Sequence, residues 1–347
     1  MARRWRPKAL DDVVGQEHVL QTLRNALKSG RIAHAYLFVG PRGTGKTTMA
    51  RLLAMALNCS NGPASKFDCD EPICRDIWRG EDLDVMEIDG ASHNSVEEVR
   101  ELRESCIYAP TRGRYRIYIL DEVHMLSNAA FNALLKVIEE PPTHVKFIFA
   151  TTEVAKVPPT ILSRCQCFHF RPISTDLIAK KLAQIAETEG IVAEKNALVA
   201  IGRLARGSMR DAQTSFEQLL TYFGKTLRED DVLEMYGLPK DSEIAELELA
   251  LLARDSECAL AIAERWNDAG IDLSGALQNL QEVLHKRLIA ESQDRSTLHA
   301  LLQTLQRWGQ ILPYSSSERA DFAVALLEAI ENSRCRPISA ILKQLHR

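Results

Sequence analysis

The sequence lacks any apolar run long enough to span a bilayer, and its basic beginning, MARRWRPKAL, has no apolar core of the kind that a secretory signal needs. We therefore expect a cytoplasmic protein without membrane contact, whose eight cysteines stay reduced or bind a metal. The chain also lacks an excess of positive charge, because its net charge is −4. This balance argues against a generally basic nucleic-acid binder, although it is compatible with a local basic surface.

Hydrophobic residues make up 46% of the 347 residues and charged residues 26%, which is typical of a globular protein with two or three domains. Through residue 172, predicted strands alternate with predicted helices, which favours a parallel sheet covered by helices on both faces. The predicted strands lie at 35–39, 84–89, 116–123, 145–152 and 165–170. The predicted helices among them lie at 17–29, 48–57, 95–105 and 128–140.

The rest of the chain carries no further predicted strand and is helical. Helices are predicted at 175–188, 194–205, 209–223 and 229–236, and again over most of 241–330. We therefore predict three domains. They are an α/β domain at 1–172 with a cysteine-containing insertion at 58–83, a small helical domain at 173–237 and a larger helical domain at 238–347.

A glycine-rich segment follows the first strand and precedes a helix, and it has the pattern G-x-x-x-x-G-K-T. Glycines let the backbone approach a phosphate closely, and the N-terminus of the next helix favours an anion. We expect the lysine to reach the β- and γ-phosphates of a nucleotide and the first threonine to hold Mg²⁺. A chance glycine-rich turn is the alternative, which the strand–loop–helix context disfavours. The predicted nucleotide-binding residues are Gly40, Pro41, Arg42, Gly43, Thr44, Gly45, Lys46, Thr47 and Thr48.

Two acids, Asp121 and Glu122, close the third predicted strand and so lie at the carboxyl edge of the sheet, where ligands of open α/β sheets bind. We expect Asp121 to hold Mg²⁺ through water and Glu122 to orient and polarise the attacking water. Two solvated acids at a strand end are the alternative. Thr152 ends another strand, but on the residues alone it is unremarkable, as are Arg164 and Arg210.

The segments VVGQ, GPRGTGKT, DEVHML, LLKVIEEPP, FATT, ILSRC and GSMRDA follow one another in this order within residues 13–212, and the match around them extends from about residue 3 to about residue 330. This set resembles the γ/τ subunit family of bacterial DNA polymerase III clamp loaders, which belongs to the AAA+ ATPases. The resemblance implies an α/β P-loop AAA+ domain with a parallel sheet flanked by helices, then a small helical lid, then an all-α collar domain. It also implies ATP hydrolysis coupled to loading a sliding clamp on primer–template DNA.

The resemblance assigns roles that spacing does not show. Thr152 matches the family's sensor-one residue, and Arg210 matches the sensor-two arginine that joins the lid to the γ-phosphate. Arg164 matches the arginine finger, which reaches the ATP site of a neighbouring subunit. A finger supplied in trans raises phosphoryl-transfer rates by about 10³–10⁵. Val14 and Gly15 match the residues that line the adenine pocket.

The family also carries a four-cysteine zinc site in the segment after the phosphate loop, and this sequence departs from it. Cys59, Cys69 and Cys74 are present, but the family's C-x-x-C-x-x-C run is missing. Because a structural zinc takes four ligands, a nearby Asp or Glu would have to supply the fourth. A metal-free insertion remains the alternative to a zinc site.

The implied partners are the delta and delta prime subunits, further copies of this chain, the beta clamp and primer–template DNA. Arg100, Arg103 and Lys136 match helices that the family turns toward DNA phosphates, which carry no sequence information. A solvated helix face explains these three residues nearly as well.

Three other functions stay open from the sequence. They are another AAA+ machine acting on DNA junctions, a loader subunit that is structural and does not hydrolyse ATP, and a small-molecule P-loop kinase. The intact set of Lys46, Thr47, Asp121 and Glu122 argues against the structural subunit.

Overall fold

The computed structural model describes residues 1, 4–92, 96–290 and 295–334, with the backbone alone at Val96 and Arg334. The predicted helix start at residue 95 and the tail beyond 334 lie outside the described residues. The chain divides once, into a compact unit at Met1–Leu227 and a second unit from Arg228 onward. Because this division falls at neither predicted boundary, the boundaries at 172 and 237 stay predictions. Among the described helices, none is long and apolar enough to cross a membrane.

The first unit contains the predicted parallel sheet. Its strands are β1 (Ala35–Val39), β2 (Val85–Asp89), β3 (Arg116–Asp121), β4 (Val145–Thr151) and β5 (Gln166–His169). They pair in the order β2-β3-β4-β1-β5, and all pairs are parallel. Every residue of β1 and β4 is buried, as expected for central strands that are covered on both faces.

Successive side chains of β1 enter two different hydrophobic clusters, because neighbouring residues of a strand point to opposite faces. Tyr36 and Phe38 pack in the cluster with α1 (Glu17–Ser29), α2 (Lys46–Asn58) and α3 (Pro72–Arg79). Leu37 and Val39 pack in the cluster with the helices of the other face. Those helices are α4 (Val96–Ser105), α5 (Asn128–Glu139) and α6 (Pro159–Leu162).

The helix α3 lies in the insertion at 58–83, where the sequence predicted no regular element. Its first residue, Pro72, suits the start of a helix because the N–H that proline lacks would have no helical partner there. Gly80 ends the helix in the left-handed conformation. Cys74 and Ile77 are buried in the core, and Ile73 and Trp78 of the same helix pack against it.

The first unit ends with a small helical bundle, the lid. It consists of α7 (Thr175–Glu189), α8 (Lys195–Leu204) and α9 (Met209–Phe223), with a short parallel pair, β6 (Val192–Ala193) and β7 (Thr226–Leu227). Ser174 and Ser208 cap two of these helices, because each hydroxyl accepts a hydrogen bond from a backbone N–H three residues later.

The second unit is all-helical over its described residues, as predicted. Its helices are α10 (Glu229–Tyr236), α11 (Asp241–Ala253), α12 (Ser256–Asp268), α13 (Leu273–Ala290), α14 (Arg295–Ile311) and α15 (Glu318–Arg334). One hydrophobic cluster joins α11 to α15, with Trp266 and Phe322 fully buried in it.

Candidate active site

The site lies at the carboxyl edge of the sheet, where β1, β3 and β4 end. The phosphate loop leaves β1 at Gly40, whose N–H donates to the carbonyl of Thr151 at the end of β4. The loop then enters α2, for which Gly45 is the N-cap. Because glycine has no side chain to cap a helix, the first N–H groups of α2 are left for a ligand.

At two positions of the loop, neighbouring segments of the chain leave no room for a side chain, so only glycine fits there. A Cβ on Gly40 would lie 2.4 Å from the carbonyl oxygen of Phe170, and a Cβ on Gly43 would lie 1.9 Å from Ser208 Oγ. Gly43 and Gly45 also have φ values of +74° and +97°, which side chains disfavour. The loop is therefore packed from outside by the β5 exit and by the lid.

Lys46 is buried in this loop, with 6% of its surface exposed. Its Nζ donates to the carbonyls of Gly40 and Pro41 at 2.8 and 2.9 Å. Burial lowers the pKa of this ammonium, while the nearby Glu122 and Asp121 raise it. The loop thus holds a buried ammonium against two backbone carbonyls. Because a buried charge is costly without a charged partner, this ammonium suits an anionic ligand.

Thr47 and Asp121 bring two oxygen ligands together from different elements. The Thr47 hydroxyl on α2 donates to Asp121 Oδ2 at the end of β3, at 2.5 Å. Hard oxygen donors at this spacing match the ligands that Mg²⁺ prefers. The residues present therefore fit the predicted magnesium site.

Glu122 follows β3 in a left-handed conformation, with φ +44°, so the strand ends at Asp121 and the prediction of strand to residue 123 is wrong. The turn sends its carboxylate toward β4. Its Oε2 accepts from the backbone N–H of Thr152 at 3.2 Å and from the Thr152 hydroxyl at 3.0 Å. The structure thus brings together two of the predicted catalytic residues.

The lid meets the phosphate loop at the start of α9. The N–H of Met209 donates to the carbonyl of Gly43 at 3.1 Å, and Ser208 packs on the same glycine. The Cβ of the next residue, Arg210, lies 3.4 Å from the point that a Cβ on Gly43 would occupy, and the Arg210 side chain is exposed. Arg210 therefore lies beside the loop, a position that the family resemblance implied and that residue spacing alone did not predict.

A further arginine, Arg6, lies near the site, although no motif in the sequence marks it. Burial lowers its pKa, and the nearby Arg51 and Arg210 lower it too, while Glu87 and Asp121 raise it. Its guanidinium also stacks over Trp78 at 5.9 Å. The predicted extended arm at 3–8 offered no periodicity from which this position could be found, and residue 3 lies outside the described residues.

The segment of Val14 and Gly15 packs against the chain that enters the lid. Gly15 has φ +77°, and a Cβ there would lie 3.2 Å from Ile173. The buried side chain of Gln16 bonds both the N–H and the carbonyl of Arg171. This places the predicted adenine-pocket residues against the segment that joins β5 to the lid.

Arg164 lies apart from these groups, on the segment that follows α6. Its guanidinium donates to the carbonyl of Thr160 at 2.8 Å and to Ser163 Oγ at 3.2 Å. It also pairs with Glu139, the last residue of α5, at 2.7 Å. None of these partners belongs to the phosphate loop. The side chain is 35% exposed, so it is accessible from outside the chain.

The three predicted DNA contacts lie on α4 and α5, which pack against each other. Arg100 and Lys136 are exposed, and Arg103 is half-buried. Their contact with DNA stays a prediction.

The predicted zinc site at Cys59, Cys69 and Cys74 is not supported. In the part of the chain that the structure describes, no group of three or more His, Cys, Asp or Glu side chains could hold a metal ion. The thiols of Cys59 and Cys69 instead donate to the carbonyls of Ala56 and Lys8. Burial raises the pKa of all three thiols, that of Cys74 to about 12.

Three family models match the chain in succession. The family described as DNA polymerase III, delta subunit, matches residues 15–174. The clamp loader subunit ATPase lid domain matches residues 177–224, and domain III of the gamma and tau subunits matches residues 227–319. The matches follow the α/β part, the lid and the second unit.

Curated relatives agree with these matches. The chain is 39% identical to the DNA polymerase III subunit tau of Escherichia coli K12, over 95% of this chain and 55% of that protein. It is 42% identical to the subunit gamma of Buchnera aphidicola subsp. Acyrthosiphon pisum, over 82% of this chain and 79% of that protein. The chain thus spans about half the length of the tau relatives.

Solved structures show the same fold at low sequence identity. The RuvB Holliday junction branch migration motor of Thermotoga maritima has a TM-score of 0.52 and 20% identity, covering 71% of this chain and 79% of that one. At this identity the similarity concerns the fold alone.

Proposed function

The chain belongs to the γ/τ subunit family of bacterial DNA polymerase III, and from that premise we propose that it is an ATPase subunit of a clamp loader. ATP binding and hydrolysis by this subunit would open a sliding clamp and load it on primer–template DNA. One observation carries the proposal: Lys46, Thr47 and Asp121 converge on a glycine loop that the lid touches.

One chain supplies every part of the proposed ATP site except the arginine finger. The loop amides and the start of α2 hold the phosphates, and Lys46 exchanges its two carbonyl partners for the β- and γ-phosphate oxygens. Thr47 and Asp121 are the residues that would hold Mg²⁺. A bound Mg²⁺ supplies neutralisation of charge on the phosphate oxygens. Val14 and Gly15 line the adenine pocket, next to the segment that joins β5 to the lid.

Glu122 and Thr152 act on the water that attacks the γ-phosphate. The carboxylate is fixed through Oε2 by two donors of Thr152, so Oε1 can orient the water and take its proton. Thr152 thereby links the position of the carboxylate to the end of β4, beside the phosphate loop.

Two arginines reach the phosphates from outside the sheet. Arg210 joins the lid to the γ-phosphate, which fits its place beside Gly43. Arg164 acts in trans, on the ATP of a neighbouring subunit, which fits its exposure and the absence of its described partners from the chain's own phosphate loop. Because each site needs a residue from the next chain, hydrolysis depends on assembly.

The proposed partners are the delta and delta prime subunits, further copies of this chain, the beta clamp and DNA. Arg100, Arg103 and Lys136 contribute phosphate contacts without reading sequence. Since such a loader works on replicating bacterial DNA, we place the chain in the cytoplasm.

A structural subunit without hydrolysis is the second candidate. It is weakened by the position of Glu122, whose Oε2 accepts hydrogen bonds from the N–H and the hydroxyl of Thr152 next to the phosphate loop. A junction motor has only the shared fold in its favour, because its similarity lies at about 20% identity.

The test is an ATPase assay of the chain with delta, delta prime, clamp and primed DNA, each left out in turn. The proposal predicts turnover that falls sharply when any one component is missing. Turnover that ignores the clamp and the DNA would contradict the loader function. Tight ATP binding without turnover in the complete mixture would favour the structural subunit.

A further inference from the structure

A histidine lies behind the carboxylate that is proposed to activate water. His124 belongs to the short 3-10 turn at Val123–Met125, directly after the left-handed Glu122. The turn folds the imidazole back toward β4, and only 6% of its side chain is exposed. Such a buried imidazole needs polar partners for both ring nitrogens.

Both ring nitrogens of His124 face polar groups of the site. Nδ1 lies 3.1 Å from Thr151 Oγ1 and 3.4 Å from Glu122 Oε2. Nε2 lies 3.4 Å from Glu153 Oε1, and Glu153 itself pairs with Lys156. The hydroxyl of Thr151 is fixed in turn, since it accepts the N–H of Glu153 at 3.0 Å.

The contact of His124 Nδ1 with Glu122 involves the same carboxylate oxygen that Thr152 holds. Oε2 accepts from the N–H and the hydroxyl of Thr152 and faces His124 Nδ1. Two hydrogen bonds from Thr152 and the imidazole 3.4 Å away restrict the rotation of this carboxylate, so its other oxygen keeps a fixed direction. A displacement of about 1 Å in such a group can cost about 10²-fold in rate.

We propose that His124, itself held by Thr151, is a positioning residue for ATP hydrolysis, which acts through Nδ1 to keep Glu122 against Thr152. The inference rests on the ATPase function proposed above and extends it to a residue that does not touch the nucleotide. His124 is a positioning residue because it orients the group that handles the water, without exchanging a proton with the substrate.

Three substitutions separate positioning from packing. His124→Phe keeps a ring in the space between the turn and β4 but removes both nitrogens. His124→Asn places an amide nitrogen near the position of Nδ1, whereas His124→Gln extends its amide toward the position of Nε2. The matched control is His144→Asn, because His144 precedes the other end of β4 and contacts the carbonyls of Cys106 and Tyr108.

Each variant is assembled with delta, delta prime, clamp and primed DNA, and kcat, KM and the equilibrium affinity for ATP are measured with the melting temperature. We expect His124→Phe and His124→Gln to lower kcat at least tenfold, with ATP affinity within about twofold of wild type. His124→Asn should stay within about threefold of wild type in kcat, and His144→Asn should leave kcat unchanged.

Each other outcome overturns the inference. Full kcat in His124→Phe would show that the ring only fills space. Wild-type kcat in His124→Gln but not in His124→Asn would show that Nε2, which faces Glu153, is the nitrogen that matters. Failure of all three variants to fold would make His124 a structural residue. A wild-type assembly that binds ATP but does not hydrolyse it would instead overturn the proposed function, and the inference with it.

Discussion

The phosphate loop and the Arg164 segment differ in how firmly the chain holds their cations. Lys46 is 6% exposed and is held by two backbone carbonyls inside a loop that Phe170 and Ser208 pack from outside. Arg164 is 35% exposed and is held by contacts at the surface, among them an ion pair with Glu139. Surface ion pairs contribute about 0–1 kcal/mol, so they exchange easily for a new partner.

This difference between a buried and an accessible cation matches the two roles proposed for them. Lys46, which is proposed to serve the chain's own nucleotide, is fixed within the core of the chain itself. The group proposed to serve a neighbour is left accessible and weakly held, so that assembly can recruit it. Four substitutions test the two sides of this comparison, from the largest expected effect to the smallest.

Lys46→Ala should abolish ATP binding to the isolated chain, because it removes the buried ammonium that faces the loop carbonyls. Calorimetric titration with ATP measures the effect, and Lys28→Ala is the control at an exposed position of α1. Unchanged ATP affinity in Lys46→Ala would contradict the assignment of the phosphate loop.

Arg164→Ala should leave ATP affinity of the chain unchanged and lower DNA- and clamp-stimulated turnover at least 100-fold, since a finger in trans contributes about 10³–10⁵. The measurement is turnover of the full assembly at saturating ATP. Arg31→Ala, at an exposed position before β1, should have no effect. Full stimulated turnover in Arg164→Ala would remove the trans role.

Gly43→Ala should weaken ATP binding about tenfold, because the new methyl group would meet Ser208 Oγ and push the lid off the loop. Gly45→Ala is the comparison. It has the same problem of positive φ, worth about 1–2 kcal/mol, but no atom lies within 4 Å of the point that its methyl group would occupy. Equal losses of affinity in both variants would mean that the lid contact does not matter for binding.

Glu139→Ala should have the smallest effect. The two partners of this ion pair are 35% and 46% exposed, so the melting temperature should hardly change. Once released from Glu139, Arg164 should raise stimulated turnover up to about fivefold, which corresponds to about 1 kcal/mol. A large fall in turnover would show that Glu139 holds Arg164 in the productive position.

Local signals in the sequence predicted much of the fold. Helix α1 at 17–29 and strand β1 at 35–39 agree with the structure residue for residue, because hydrophobic periodicity and a C-terminal glycine mark their ends. The phosphate loop was predictable for the same reason, since its pattern and its flanking elements lie within one stretch of chain.

The sequence was less informative where distant segments meet. Helix α3 was missed because prolines and cysteines mask its short apolar pattern, and strand β3 was extended too far because nothing local predicts the left-handed Glu122. The contact of His124 with Thr151 and that of Arg164 with Glu139 join residues 27 and 25 positions apart. Such contacts follow from the strand order and cannot be read from spacing.

The most direct test of a site shared between chains is complementation. Lys46→Ala chains have no functional loop but keep Arg164, and Arg164→Ala chains have the reverse defect. Each variant alone, assembled with delta, delta prime, clamp and primed DNA, should have little turnover. If Arg164 acts in trans, mixing the two before assembly should restore a substantial part of wild-type turnover. A mixture no more active than the sum of its parts would contradict the account.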